Sequence, residues 1–139
     1  MTASAADTVN DIIMRGFGMI KFQEDWLMRQ IKMTVMAIAQ IVFGKAEALY
    51  EIVDEARIND TDLLHKDLLA LLDDLKINEA ENLLFEKIDM NDLIYLLVAI
   101  DFYNRLNSLE DETLEKGDYS RGEIERGMAT IKEIYEIAI

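Results

Sequence analysis

The 139-residue chain has no cysteine and no proline, six glycines and one histidine, His65. Without cysteine there is no disulfide and no thiolate metal centre, which suits a reducing compartment. Without proline, no position forces a helix to break by lacking its N–H. Six glycines leave little for the tight turns of β-hairpins. Leu, Met, Ala, Glu and Lys fill the sequence instead, residues that lose little on entering a helix. The expected fold class is all-α: six or seven helices packed antiparallel as a bundle of helical hairpins. The length suits one domain with a sizeable core and is short for two.

Long hydrophobic runs are also scarce, and the most apolar one is informative for that reason. Between Met33 and Phe43 only Thr34 and Gln40 are polar. A membrane span needs ~20 predominantly apolar residues, and Arg29, Gln30 and Lys32 cut this one to about half. No transmembrane segment is expected. A surface helix shows a polar stripe every third or fourth residue, so a helix over Asp25 to Phe43 is expected to be central or an interface. Leu27, Ile31, Val35, Ile38 and Val42 form one stripe on it. Trp26, Leu27, Ile31, Val35, Ile38, Val42 and Phe43 are the candidate interaction surface, with Phe102 and Tyr103 as additions from a second apolar segment.

Positive charge is short as well. Fourteen Lys and Arg face 28 Asp and Glu, a net charge of −14. Residues 1–44 carry Asp7, Asp11, Glu24 and Asp25 against Arg15, Lys21, Arg29 and Lys32, which sum to zero. All of the acidic excess lies beyond Gly44, and that field repels nucleic acid and anionic lipid headgroups. No nucleic-acid partner is expected. The neutral first third is the one region suited to a membrane surface. No basic, apolar leader opens the sequence, and cytoplasm is the expected compartment.

Taken in order, residues 1–18 read as an N-terminal extension with a short helix that Asp7 caps and Gly16 ends, followed by a single all-α domain over residues 19–139. After the apolar helix, Gly44 is a stop or a kink, since Lys45 to Arg57 resumes helical spacing. Asn59 to Asp62 is a polar break able to cap a helix carrying Leu64, Leu68, Leu71, Leu72 and Leu75. Asn78 with Glu81 resembles a capping box for the next helix. From Asp92 the segment LIYLLVAIDFY is apolar on most sides and predicts a second buried helix to about Leu106. A short acidic helix follows, which Gly117 terminates. Ser120 with Glu123 is the best capping box and opens a last helix with Ile124, Met128, Ile131, Ile134 and Tyr135 on one face.

Signatures of chemistry are few. Asp62-x-x-His65 has the spacing of a helical metal site, but di-iron bundles need that element twice and there is no second histidine. His65 is expected partly exposed in the first turn of a helix. Calcium loops fail at Asp89 and Asp111, and Gly16-Phe17-Gly18 lacks the strand and third glycine of a dinucleotide fingerprint. No cofactor is expected. Glu112-x-x-Glu115 and Glu133-x-x-Glu136 resemble the paired carboxylates with which all-α nucleotide pyrophosphohydrolases of the MazG type hold Mg²⁺, although the last acid there is aspartate. That resemblance implies a Mg²⁺-dependent enzyme as the alternative function. Leu64, Leu71, Ala80 and Leu84 occupy large, large, small and large positions of a tetratricopeptide hairpin. Leu114 lies 34 residues beyond Ala80 where another small residue would stand, so the resemblance is to one hairpin and not to an array.

Three stretches, MIKFQEDWLMRQIKMTVMAIAQIVFGK from Met19, KINEAENLLFEKID from Lys76 and LVAIDFYNRLNSLEDETLEK from Leu97, resemble a family of uncharacterised all-helical proteins of Gram-positive bacteria, a domain of unknown function. The resemblance covers Met19 to about Tyr135 and implies no activity, ligand or catalytic residue. The expected function is a cytoplasmic helical interaction module without catalysis, acting as a homodimer or with another protein.

Overall fold

The computed structural model describes residues 5–47 and 50–139, with side chains described from residue 24 onward. Among them are six helices and no strand: α1 (Ala5–Phe43), α2 (Asp60–Asp73), α3 (Ile77–Lys87), α4 (Leu93–Asn107), α5 (Asp111–Lys116) and α6 (Arg121–Ile134). The protein is an all-α bundle.

The centre belongs to α4. Every residue from Leu96 to Tyr103 is buried, as are Leu106 and Asn107. A helix apolar all round needs neighbours on several sides, and α1, α2 and α6 pack against it. Its N-cap is Asp92, whose carboxylate accepts from the Ile94 N–H at 2.9 Å. Phe102 and Tyr103 are core residues, so the expectation that they add to a contact surface is corrected: both side chains are consumed inside the bundle.

Gly16 does not end a helix. α1 runs through it and through Gly18 without interruption, 39 residues or ~58 Å. A glycine inside a helix costs about 1 kcal/mol relative to alanine, which is too little to break a helix that strong formers continue on both sides. Termination needs a left-handed residue with the chain turning away, and Gly44 provides it. With φ +64°, its N–H reaches the Gln40 carbonyl at 3.0 Å while the Lys45 N–H reaches that of Ala39 at 3.0 Å. The helical spacing of Lys45 to Arg57 is likewise not realised, since the described residues of that stretch form no helix. Tyr50 is pulled into the core there, and its N–H bonds a side chain of α4.

Three other helices end at a left-handed residue that is not glycine. Leu75, Asp118 and Glu136 all have φ near +55°. Behind each, the next N–H reaches back five residues: Lys76 to Leu71, Tyr119 to Leu114 and Ile137 to Lys132, at 2.9, 3.1 and 2.8 Å. Gly117 thus does not supply the left-handed turn after α5; Asp118 does. Gly117 is required for space, because a Cβ there would sit 2.5 Å from Ile77 Cδ1 and 3.2 Å from the Leu75 carbonyl oxygen.

Asp7 lies inside α1 and does not cap a helix that starts after it; of the three caps predicted further along, two form. Asn59 caps α2 with Asp62 as reciprocal partner, and Ser120 caps α6 with Glu123. The third does not. α3 begins at Ile77 behind Lys76, which makes no side-chain cap bond. The left-handed Leu75 returns the chain to helix two residues too early for Asn78 to act as cap, and Asn78 Nδ2 donates instead to the Asp118 carbonyl at 3.1 Å.

Candidate functional site

Four features outside the plain apolar core are available to carry function: three polar clusters and one exposed helix face. The first cluster centres on Asp101, in the middle of α4 and 1% exposed. Its Oδ1 accepts the Tyr50 backbone N–H at 3.0 Å, and its Oδ2 lies 3.0 Å from His65 Nε2 and 2.7 Å from Arg105 Nε. Burial pushes the Asp101 carboxyl up, but the hydrogen bonds from His65, Arg105 and the Tyr50 N–H more than offset this and hold it below the ordinary value of 3.8. Tyr50 is the plug of this cluster. Its ring stacks at 4.8 Å on His65, and its hydroxyl donates to Asp62 Oδ1 at 2.5 Å beside Thr61 Oγ1 at 2.8 Å. Burial, then the bond to Asp62, pushes the phenol up to about 12.

His65 is therefore not partly exposed, as its place in the first turns of α2 suggested; it is 6% exposed and turned inward onto α4. The Asp62-x-x-His65 spacing is resolved into two tasks. Asp62 closes the capping box and receives Tyr50, whereas His65 faces Asp101. A histidine oriented by a carboxylate is half of an acid–base device, and its other nitrogen, Nδ1, is buried without a hydrogen-bond partner. No hydroxyl is bonded to that nitrogen, and His65 lines none of the described cavities. The arrangement fits a buried anchor that fixes α2 and the chain around Tyr50 to α4.

The second cluster gathers on Glu81 of α3. Its Oε2 accepts from Tyr103 at 2.6 Å and from Tyr119 at 2.5 Å, joining α3 to α4 and to the turn before α6. Burial first, then donation to Glu81, raises both phenols far above their ordinary value. The third is Arg121 at the start of α6, 2% exposed. Its guanidinium donates from Nε to Asp111 Oδ1 at 3.0 Å, from Nη1 to the Asn107 carbonyl at 2.8 Å and from Nη2 to the Leu109 carbonyl at 2.6 Å. Asn107 Nδ2 in turn donates to the Met28 carbonyl of α1 at 2.8 Å. One arginine thus satisfies carbonyls left open at the C-terminus of α4 and ties α6 to it.

Sequence reasoning missed all three clusters. The signal for them was present only as polar residues interrupting apolar periodicity: Asp101 inside LVAIDFY, Tyr50 in a stretch with helical spacing, and Arg121 inside a capping box.

The candidate interaction residues divide between two faces of α1. Ile31, Val35 and Ile38 are buried, and Leu27, Val42 and Phe43 pack partly buried against the same core. Trp26 points elsewhere and is 47% exposed. With it on the outer side are Met33, 63% exposed, and Ile41, 66% exposed. The Glu pairs are not brought together into a described metal centre. Glu112 and Glu115 lie on the six-residue α5, Glu133 in the last turn of α6 and Glu136 beyond its end, all exposed. Among the described residues, no group of three or more His, Asp or Glu side chains is placed to hold a metal ion. No described helix is long and apolar enough to cross a membrane.

Fold and polar anchors together define the class: an all-α protein wrapped around one buried helix, pinned by a carboxylate, a glutamate–tyrosine bridge and an arginine. Residues 21–136 match the family of unknown function DUF6483, and the chain belongs to that family. No curated protein and no solved structure matches the chain.

Proposed function

We propose that this protein is a helical interaction module without catalytic activity, which self-associates through the outer face of α1. The carrying observation is that, among the described residues, α1 buries one apolar stripe and leaves further large apolar side chains outside it uncovered. Ile31, Val35 and Ile38 are buried, while Trp26, Met33 and Ile41 lie outside that stripe and stay open to water. Charge favours the same face. Two bodies of net charge −14 repel each other, and the segment from residue 1 to 44, which sums to zero, is where two copies approach at least cost. The residues on which the association rests are therefore Trp26, Met33 and Ile41, with Leu27, Val42 and Phe43 at the margin. The buried stripe supports α1 from behind.

In this reading residues 19–139 form the single domain and residues 1–18 an extension, which the start of the family match at residue 21 supports. The α2–α3 pair is read as one tetratricopeptide-like hairpin, and the setting as the cytoplasm of a Gram-positive bacterium. Sedimentation velocity at on the order of 50 μM protein tests the association. A dimer is expected, and Met33→Glu with Ile41→Glu is expected to give a monomer of unchanged helical content. A wild-type chain sedimenting as a clean monomer at that concentration sinks the proposal.

A further inference from the structure

A cavity of about 260 Å³ opens between α2, α3 and the first turn of α4, lined by Asp60, Leu63, Leu64, Asp67, Leu83, Lys87 and Tyr95. It is separate from the outer face of α1 and from the Asp101 cluster. Its walls are of two kinds. Leu63, Leu64, Leu83 and the Tyr95 ring make an apolar trough, while Asp60 and Asp67 stand two helical turns apart on α2. Among the described residues neither carboxylate has an ion-pair partner, and the Tyr95 hydroxyl makes no hydrogen bond. Lys87 is the only cation in the lining.

The surroundings repeat the pattern. Leu63 is 53% exposed, and Met90, Leu93 and Ile94 at the junction of α3 and α4 are exposed too. The Tyr95 phenol is pushed up by burial and then by Asp60, Asp92 and Asp89, so three carboxylates act on the aromatic wall together. An aromatic ring with carboxylates beside an apolar trough attracts a positive charge carried on an apolar body. The ring face and the carboxylates hold the charge, and the leucines hold the remainder.

We infer that the α2–α3–α4 cavity binds a small organic cation with an apolar body, its ammonium group between Asp60 and Asp67 and its apolar part against Leu63, Leu83 and Tyr95. Lys87 sets the selectivity. It opposes a second positive charge and weakens a monocation, whereas a zwitterion would use it.

Heteronuclear NMR titration of the full chain with phenethylamine tests this, beside phenethyl alcohol as neutral counterpart and phenylalanine as zwitterion. Saturable shifts centred on Leu63, Leu83 and Tyr95 are expected with the amine. Asp60→Asn with Asp67→Asn is expected to weaken binding about tenfold, and Lys87→Gln to strengthen it about threefold. Both aspartates are exposed, so the variants retain the fold, which circular dichroism verifies. Asp67→Asn alone, away from the first turn of α2, serves as the second variant and is expected to weaken the amine about threefold. The inference is overturned if the amine does not saturate below ~20 mM, if the alcohol binds as tightly, or if the aspartate variants bind unchanged. It is overturned in favour of an amino-acid site if phenylalanine binds more tightly and Lys87→Gln weakens it.

Discussion

Gly127 and Gly122 sit on the same helix and answer to different constraints. A Cβ on Gly127 would fall on the Tyr103 ring, 2.6 Å from Cε1, where α6 crosses α4. A Cβ on Gly122 meets nothing closer than Arg126 Nη1 at 3.6 Å. Gly127→Ala is therefore expected to destabilise by about 1–3 kcal/mol through overpacking. Gly122→Ala is expected to be neutral or to gain up to about 0.5 kcal/mol from helix propensity. Urea unfolding midpoints of the two variants separate space from propensity directly. Asp101 gives the second expectation at this scale. Because its carboxyl is held below its ordinary value when folded, it contributes stability at and above that value, which is lost as pH falls through the folded one. Wild-type stability should decline on acidification below about pH 4, and Asp101→Asn should be less stable at neutral pH with a flatter acid limb. Replacement by Ala should cost about 3 kcal/mol, at the lower end for a broken buried pair because the Arg105 side chain is 39% exposed and can turn to water.

Helix ends in this chain are built against the intrinsic preference of the residues that make them. Leu75, Asp118 and Glu136 occupy the left-handed position that glycine takes without steric cost. The strain persists because the main-chain bond that closes each turn and the packing of Ile77, Tyr119 and Ile137 after it determine the path. Glu136→Gly removes the strain at an exposed position and keeps every main-chain bond. It is expected to raise stability by about 0.5–1 kcal/mol, read from the thermal midpoint. The same substitution at Leu75 gains less, since that side chain is half-buried. α5 does end where the sequence places its stop, with Gly117 as C-cap, but the left-handed turn falls on its neighbour Asp118 and the glycine yields room to Ile77.

Across the whole molecule the charge is unevenly spread, and association should respond to salt in a definite direction. If two copies meet along α1, their acidic bodies repel over distances that salt screens, so the dimer should tighten as ionic strength rises from ~20 to ~300 mM. Sedimentation equilibrium at the two salt concentrations checks this, and an interface held by opposite charges would weaken instead. Helix positions from α2 onward, the Asn59 and Ser120 caps and the all-α class were legible because propensity, capping and periodicity are local properties of the chain. Which apolar helix lies at the centre was not. Met33 to Phe43 and Leu93 to Tyr103 look alike as strings. Only packing shows that α4 is covered on every side from Leu96 to Tyr103, while α1 buries Val35 and Ile38 and leaves Met33 and Ile41 in water. The polar anchors were hidden for the same reason: His65 and Asp101 are 36 residues apart, and Glu81 and Tyr119 are 38. The sequence by itself determined where the chain is helical from α2 onward and where its negative charge accumulates, since both follow from neighbouring residues. Tertiary structure decided which helix is enclosed, which tyrosines and carboxylates meet and which face remains open, because those depend on contacts between segments that no local pattern encodes.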